Sequence, residues 1–119
     1  MNKREKRRLR RRQVLMERMA QLSLLLRGSF LERFSACTRK NCACHQGQKH
    51  GPRSYLVVYR ERKQRQVYVP QSQREAVRQG LRQHVQLRAL VQEITRLNLQ
   101  LMRAGALAAA PRKGGRRHE

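Results

Sequence analysis

Cys37, Cys42, Cys44 and His50 fall within fourteen residues in the order Cys-x4-Cys-x-Cys-x5-His, and the chain has no cysteine elsewhere. Three thiolates and one imidazole form a donor set for structural zinc, which fills all four tetrahedral positions with protein atoms at about 2.0–2.3 Å. The Cys-x4-Cys interval lies within the usual spacing of zinc fingers, whereas the Cys-x-Cys pair is tighter and less diagnostic. His45 competes for the fourth position, but it adjoins Cys44, and neighbouring residues rarely point at one ion. Arg39, Lys40 and Lys49 would offset thiolate charge and favour deprotonation. We therefore expect Zn2+ as the cofactor, held by Cys37, Cys42, Cys44 and His50. The bland alternative is three ordinary thiols that happen to cluster.

A staple of this kind suits the rest of the chain. At 119 residues it is short, and only 39% of it is hydrophobic, below the ~45–50% usual for globular proteins. A small core of this sort gains from a metal or an oligomer interface. The formal charge is +22, from 29 Lys and Arg against 7 acids. Charge of that size favours an anionic partner, nucleic acid first, then acidic membrane or acidic protein. All the acids are glutamates (Glu5, Glu17, Glu32, Glu61, Glu75, Glu93 and Glu119), scattered singly among basic residues. Metal-dependent nucleases instead gather carboxylates around cations, and no nucleophile–base–orienter set can be read from the serines. We expect a non-catalytic protein.

The longest apolar run, around residues 22–26, is too short to span a membrane. Glu17, Arg18 and Gln21 interrupt what would be the core of a secretory signal. The arginine-rich start also has the composition of an organelle presequence. An odd, clustered set of cysteines does not suit a secreted disulfide scaffold, which leaves the cytoplasm as the expected location.

These residues must be positioned by few elements. Residues 1–12 read as a basic arm, solvated and at most weakly helical. Leu15, Met19, Leu22 and Leu26 then recur at intervals of four, three and four, which predicts a helix over about residues 5–27 ended by Gly28. Residues 29–35 fit either a short helix or a strand, with the strand preferred. The apolar, β-rich stretches 54–59 and 66–69 predict a hairpin. Residues 60–65 between them contain no Gly or Asn, so a loop longer than a two-residue turn is expected. After Pro70, Ser72 and Glu75 read as a capping box. It opens a long helix with Leu87, Leu90, Ile94, Leu97 and Leu101 at spacings of three and four, and Gly105 as its stop. The expected fold is α+β: an N-terminal helix, a zinc-binding loop, a small antiparallel hairpin with an optional third strand, and a long C-terminal helix. Residues 13–104 form the single domain, and 105–119 a flexible basic tail.

The cations divide among these elements. Arg7, Arg8, Arg10, Arg11 and Arg12 lie in the arm, Arg39 and Lys40 in the cysteine loop, and Arg53, Arg60, Arg62, Lys63 and Arg65 along the hairpin. Arginine suits bidentate contact with phosphate. We expect these residues to contact DNA or RNA, in an accessory protein of a mobile element or a gene-regulatory complex. Tyr55, Tyr59 and Tyr68 could stack on bases if a strand face is open, although a hairpin-core role is the plainer expectation for at least two. The alternative function is a protein-interaction module, pairing with a partner or a second copy through a coiled-coil-like seam of Leu87, Leu90, Ile94, Leu97 and Leu101.

The order of Arg27-Gly28-Ser29, the cysteine cluster, His50-Gly51-Pro52, a Tyr-containing strand, Val67-Tyr68-Val69-Pro70 and a helix ending in Leu97-Asn98-Leu99-x-Leu101 resembles a group of short prokaryotic proteins classed as a domain of unknown function. The resemblance covers roughly residues 26–102. It implies the metal-ligand set and the architecture above and implies no activity. Thr38 stands where that group commonly has Gly, and Arg53 and Ser54 stand where it commonly has aromatics.

Overall fold

The computed structural model describes residues 1–35, 41, 43–47 and 50–110, and for residues 35, 44, 45, 50 and 51 the backbone alone. The architecture is α+β. Its elements are helix α1 (Lys3–Ala20), strands β1 (Ser29–Ser35), β2 (His50–Arg60) and β3 (Lys63–Val69), and helix α2 (Arg74–Arg103). Short 3-10 turns occupy Ala43–Gln46 and Gln71–Gln73. The chain divides into two compact units, Met1–Ser23 with Val85–Glu119, and Leu24–His84.

In the first unit, α1 starts about three turns before Leu15, where the apolar stripe read from the sequence begins. Asn2 caps it, its side chain accepting from the Glu5 amide at 2.8 Å, and Glu5 adds negative charge at the positive helix end. The helix, expected from about residue 5, takes in the basic arm as far back as Lys3, and Leu9 in that arm is 1% exposed, so the arm is not simply solvated. Leu9 packs with Leu101 and Ala106, while Leu15 packs with Ile94 and Leu97, flanked by Met19 and Leu90. Because early α1 residues meet late α2 residues, the helices run antiparallel. Four of the five seam positions, Leu90, Ile94, Leu97 and Leu101, lie in these two clusters.

Gly105 ends α2 as its type predicts, with φ +72°. The Ala106 amide donates to the Leu101 carbonyl at 2.8 Å and the Gly105 amide to that of Met102 at 3.0 Å, the two bonds of a Schellman stop with its apolar contact between Ala106 and Leu101. Residues 105–110, expected to be loose, are anchored here: Ala106 is buried and Ala109 packs against it. Residues 111–119 of the expected tail lie outside the described residues.

In the second unit, β1, β2 and β3 form one antiparallel sheet in that order. Residues 29–35 are therefore a strand, paired from Ser29 opposite Val57 to Arg33 opposite Arg53, with an irregularity before Ser35 meets His50. The strand needs Gly28, since a Cβ there would stand 2.4 Å from the Val57 carbonyl oxygen.

Two local expectations need correction. The first helix ends at Ala20, not near residue 27. In this unit the Leu24 amide donates to the Gln83 side-chain oxygen at 2.7 Å and the Leu26 amide to the Gly80 carbonyl at 3.1 Å. Gly80 allows this approach, because a Cβ there would sit 3.0 Å from the Leu26 side chain. The leucines thus find partners on α2 that outweigh another turn of helix. The hairpin loop is also shorter than expected. Arg60 pairs with Lys63, leaving a two-residue turn at Glu61 and Arg62 with φ of 54° and 64°. Two left-handed non-glycine residues cost about 1–2 kcal/mol each. A ladder continuous from Ser54–Val69 to Arg60–Lys63 holds the strands in register, and a 3.2 Å ion pair joins Arg65 to Glu61.

Candidate nucleic-acid interface

The cysteine cluster lies on the connection between β1 and β2, whose two ends the sheet brings together where Ser35 faces His50. Cys37 and Cys42 lie outside the described residues, as do Arg39 and Lys40; Cys44 and His50 are described in backbone only. Cys44 falls in the Ala43–Gln46 turn, and His50 opens β2. Among the described residues no group of His, Cys, Asp or Glu could hold a metal ion.

In the first unit the α1 cations separate by helical phase. Arg4, Arg7, Arg8 and Arg11 recur at three, one and three residues and share one face. With Arg96, Leu97 and Gln100 of α2 they line an open groove of about 440 Å3. Five guanidiniums around one groove repel one another, so the groove favours an anion. Glu93 is the acid beside it. Its carboxylate bonds the Arg96 guanidinium, and that hydrogen bond holds its pKa below the ordinary glutamate range; the same bond raises Arg96.

Arg10 is exposed and does not line the groove. Arg12 faces the other way. Its guanidinium donates to Asn98 Oδ1 at 2.8 Å, the Leu107 carbonyl at 2.9 Å and the Ala109 carbonyl at 2.8 Å. It occupies the apolar stripe three residues after Leu9 and three before Leu15, tying α1 to the segment after α2. Extending the stripe back to Leu9 would have revealed this from sequence. Asn98, a candidate register residue, is half-buried and accepts from Arg12.

In the second unit the paired residues of the sheet sort onto two faces. One holds Phe30, Glu32, Ser54, Leu56, Val58, Val67 and Val69. Ser54, Leu56 and Val69 there are buried. Arg78 of α2 stacks over the Phe30 ring, 4.6 Å from its centre, and lies 3.8 Å from the Glu32 carboxylate. Arg74 donates to the Pro52 carbonyl at 3.2 Å. Arg60, Lys63 and Arg65 carry this face to the hairpin tip, where Arg62 joins them in the turn.

The other face holds Leu31, Arg33, Arg53, Tyr55, Val57, Tyr59, Gln64, Gln66 and Tyr68. All three tyrosines of the chain lie on it, with Tyr59 75% and Tyr68 53% exposed and Tyr55 half-buried. They are therefore not a hairpin core. Tyr55 and Tyr68 meet edge to face, ring centres 6.0 Å apart, and the Arg33 guanidinium lies over Tyr55 at 5.4 Å. Beside Tyr59 a recess of about 400 Å3 is lined by Arg27, Gly28, Ser29, Val57, Val58 and Gln64. Arg27 and Arg33 were not among the expected contacts. Their place follows from β1 pairing with β2, which the ambiguous reading of residues 29–35 concealed.

Among the described residues no helix is long and apolar enough to cross a membrane. A family model described as a domain of unknown function (DUF6788) matches residues 3–79, from the start of α1 through the sheet into α2. No curated protein and no solved structure matches the chain.

Proposed function

We propose that this chain, which belongs to that family of unknown function, is a zinc-stapled, basic nucleic-acid-binding accessory protein that performs no catalysis and works in the cytoplasm. The observation that carries the proposal is the α1–α2 groove, where Arg4, Arg7, Arg8, Arg11 and Arg96 converge in a chain of formal charge +22. Guanidiniums bind phosphate in bidentate fashion. A groove that gathers them along a helix suits a polyanion better than a small ligand. Arg60, Arg62 and Lys63 at the hairpin tip supply further phosphate contacts.

Zinc belongs to the proposal through its ligands. Cys37, Cys42, Cys44 and His50 would close the β1–β2 connection, and four protein donors would leave the ion no open position for catalysis. The burial of Ile94, Leu97 and Leu101 against α1 favours nucleic acid over the alternative of a partner at the leucine seam.

The test is binding of nuclease-treated, full-length protein to duplex DNA and to RNA at several salt concentrations. Binding that weakens steeply with salt is expected; no salt-sensitive binding to either polymer would sink the proposal.

A further inference from the structure

We propose that the open face of the sheet binds unpaired nucleotides, so that the preferred ligand is single-stranded rather than duplex nucleic acid. This rests on the nucleic-acid reading above and specifies its ligand. Three observations converge on it. Aromatic rings are normally drawn into a core, yet Tyr59 and Tyr68 stand largely in solvent on a sheet whose opposite face is the packed one. The same face carries Arg33 and Arg53 opposite one another, with Arg27 at the recess beside Tyr59. No carboxylate lies among its residues, since Glu32 points to the packed face and Glu61 sits in the turn.

That combination fits nucleobases with phosphates between them. A tyrosine ring offers a stacking surface to any base, and flanking arginines hold the backbone. Tyr55 and Tyr59 are four residues apart on β2, about 13 Å at strand rise, so the Tyr55–Tyr68 pair and Tyr59 form separate platforms for separate bases. At Tyr59 a base would stack over the ring with Gln64 and Ser29 near its edge and Arg27 near a phosphate. A paired base cannot use these platforms, because its faces are already stacked within the duplex.

The chain has no Trp and three Tyr, so its intrinsic ultraviolet emission comes from this face alone. Nuclease-treated, full-length protein is titrated with a labelled single strand of about twelve nucleotides, within the ~4–16 nucleotides of comparable sites. The strand is used as DNA and as RNA, with its blunt duplex and base-free heparin as controls. Single strands of either sugar are expected to bind more tightly than the duplex and to quench tyrosine emission, which heparin leaves unchanged. Tyr59→Ala and Tyr68→Ala should each weaken single-strand binding by about five- to 150-fold without altering duplex binding, and Tyr59→Phe should bind as the parent does. Both rings are exposed enough for the variants to fold, which far-ultraviolet circular dichroism checks. Salt-sensitive binding with unaltered tyrosine emission and no loss in the alanine variants would overturn this inference and leave the nucleic-acid reading standing. Absence of binding to every polymer would overturn both.

Discussion

Arg8 and Arg12 stand four residues apart on α1, carry the same charge and have different surroundings. Arg12 gives three hydrogen bonds to Asn98, Leu107 and Ala109, whereas Arg8 lines the open groove. Arg12→Ala should lower unfolding stability by about 1–3 kcal/mol, since hydrogen bonds to a charged group are worth ~1.5–3 and this site is partly solvated. Arg8→Ala should leave the thermal midpoint near that of the parent and reduce the slope of log affinity against log salt by about one. Thermal melts and salt titrations of the two variants separate these outcomes. Ser54 gives a second residue-scale prediction. Its side chain is fully buried, and its hydroxyl has no hydrogen-bond partner among the described residues. Ser54→Ala should therefore be neutral or slightly stabilising in urea denaturation. Gly28→Ala should be destabilising by about 1–3 kcal/mol, because its Cβ would collide with the Val57 carbonyl and separate β1 from β2.

The elements show which parts of the fold are written locally. The spacing of Leu87, Leu90, Ile94, Leu97 and Leu101 and the glycine after them specify α2 and its end almost unaided, since periodicity and a left-handed stop are local properties. Where α1 ends is not local. Residues 22–26 continue its apolar pattern, and only the distant acceptors Gln83 and Gly80 draw them away from helix. The hairpin turn is likewise set by distant pairing. Residue type at Glu61 and Arg62 predicts against left-handed backbone, but strand pairing imposes it. Changing the pair to Glu61→Asn with Arg62→Gly should raise stability by about 1–2 kcal/mol in thermal unfolding; an unchanged or lower midpoint would contradict the turn. The open tyrosine face was illegible because residues 55–59 are apolar on both sides of the strand, so alternation does not say which side meets solvent. Among the candidate contacts, helical phase could have gathered Arg7, Arg8 and Arg11 and set Arg10 apart.

At the scale of the whole chain, charge sets the behaviour, and the proposed zinc site would temper it. A net charge of +22 opposes compactness through self-repulsion, and zinc ligation between the first two strands would offset part of it. Chelation should release one zinc per chain and lower the thermal midpoint, and Cys37→Ser or His50→Ala should abolish stoichiometric zinc measured by elemental analysis. The same charge makes Glu93 a restraint on the groove. Glu93→Gln frees Arg96 from its carboxylate and should strengthen nucleic-acid binding at low salt while leaving the fold intact. The most direct test of the central claim is the affinity of nuclease-treated, full-length protein for DNA and RNA measured between 50 and 200 mM salt. Engagement of about six to ten phosphates predicts a fall of roughly three to five decades across that range. Affinity that is absent, or flat with salt, would contradict the claim.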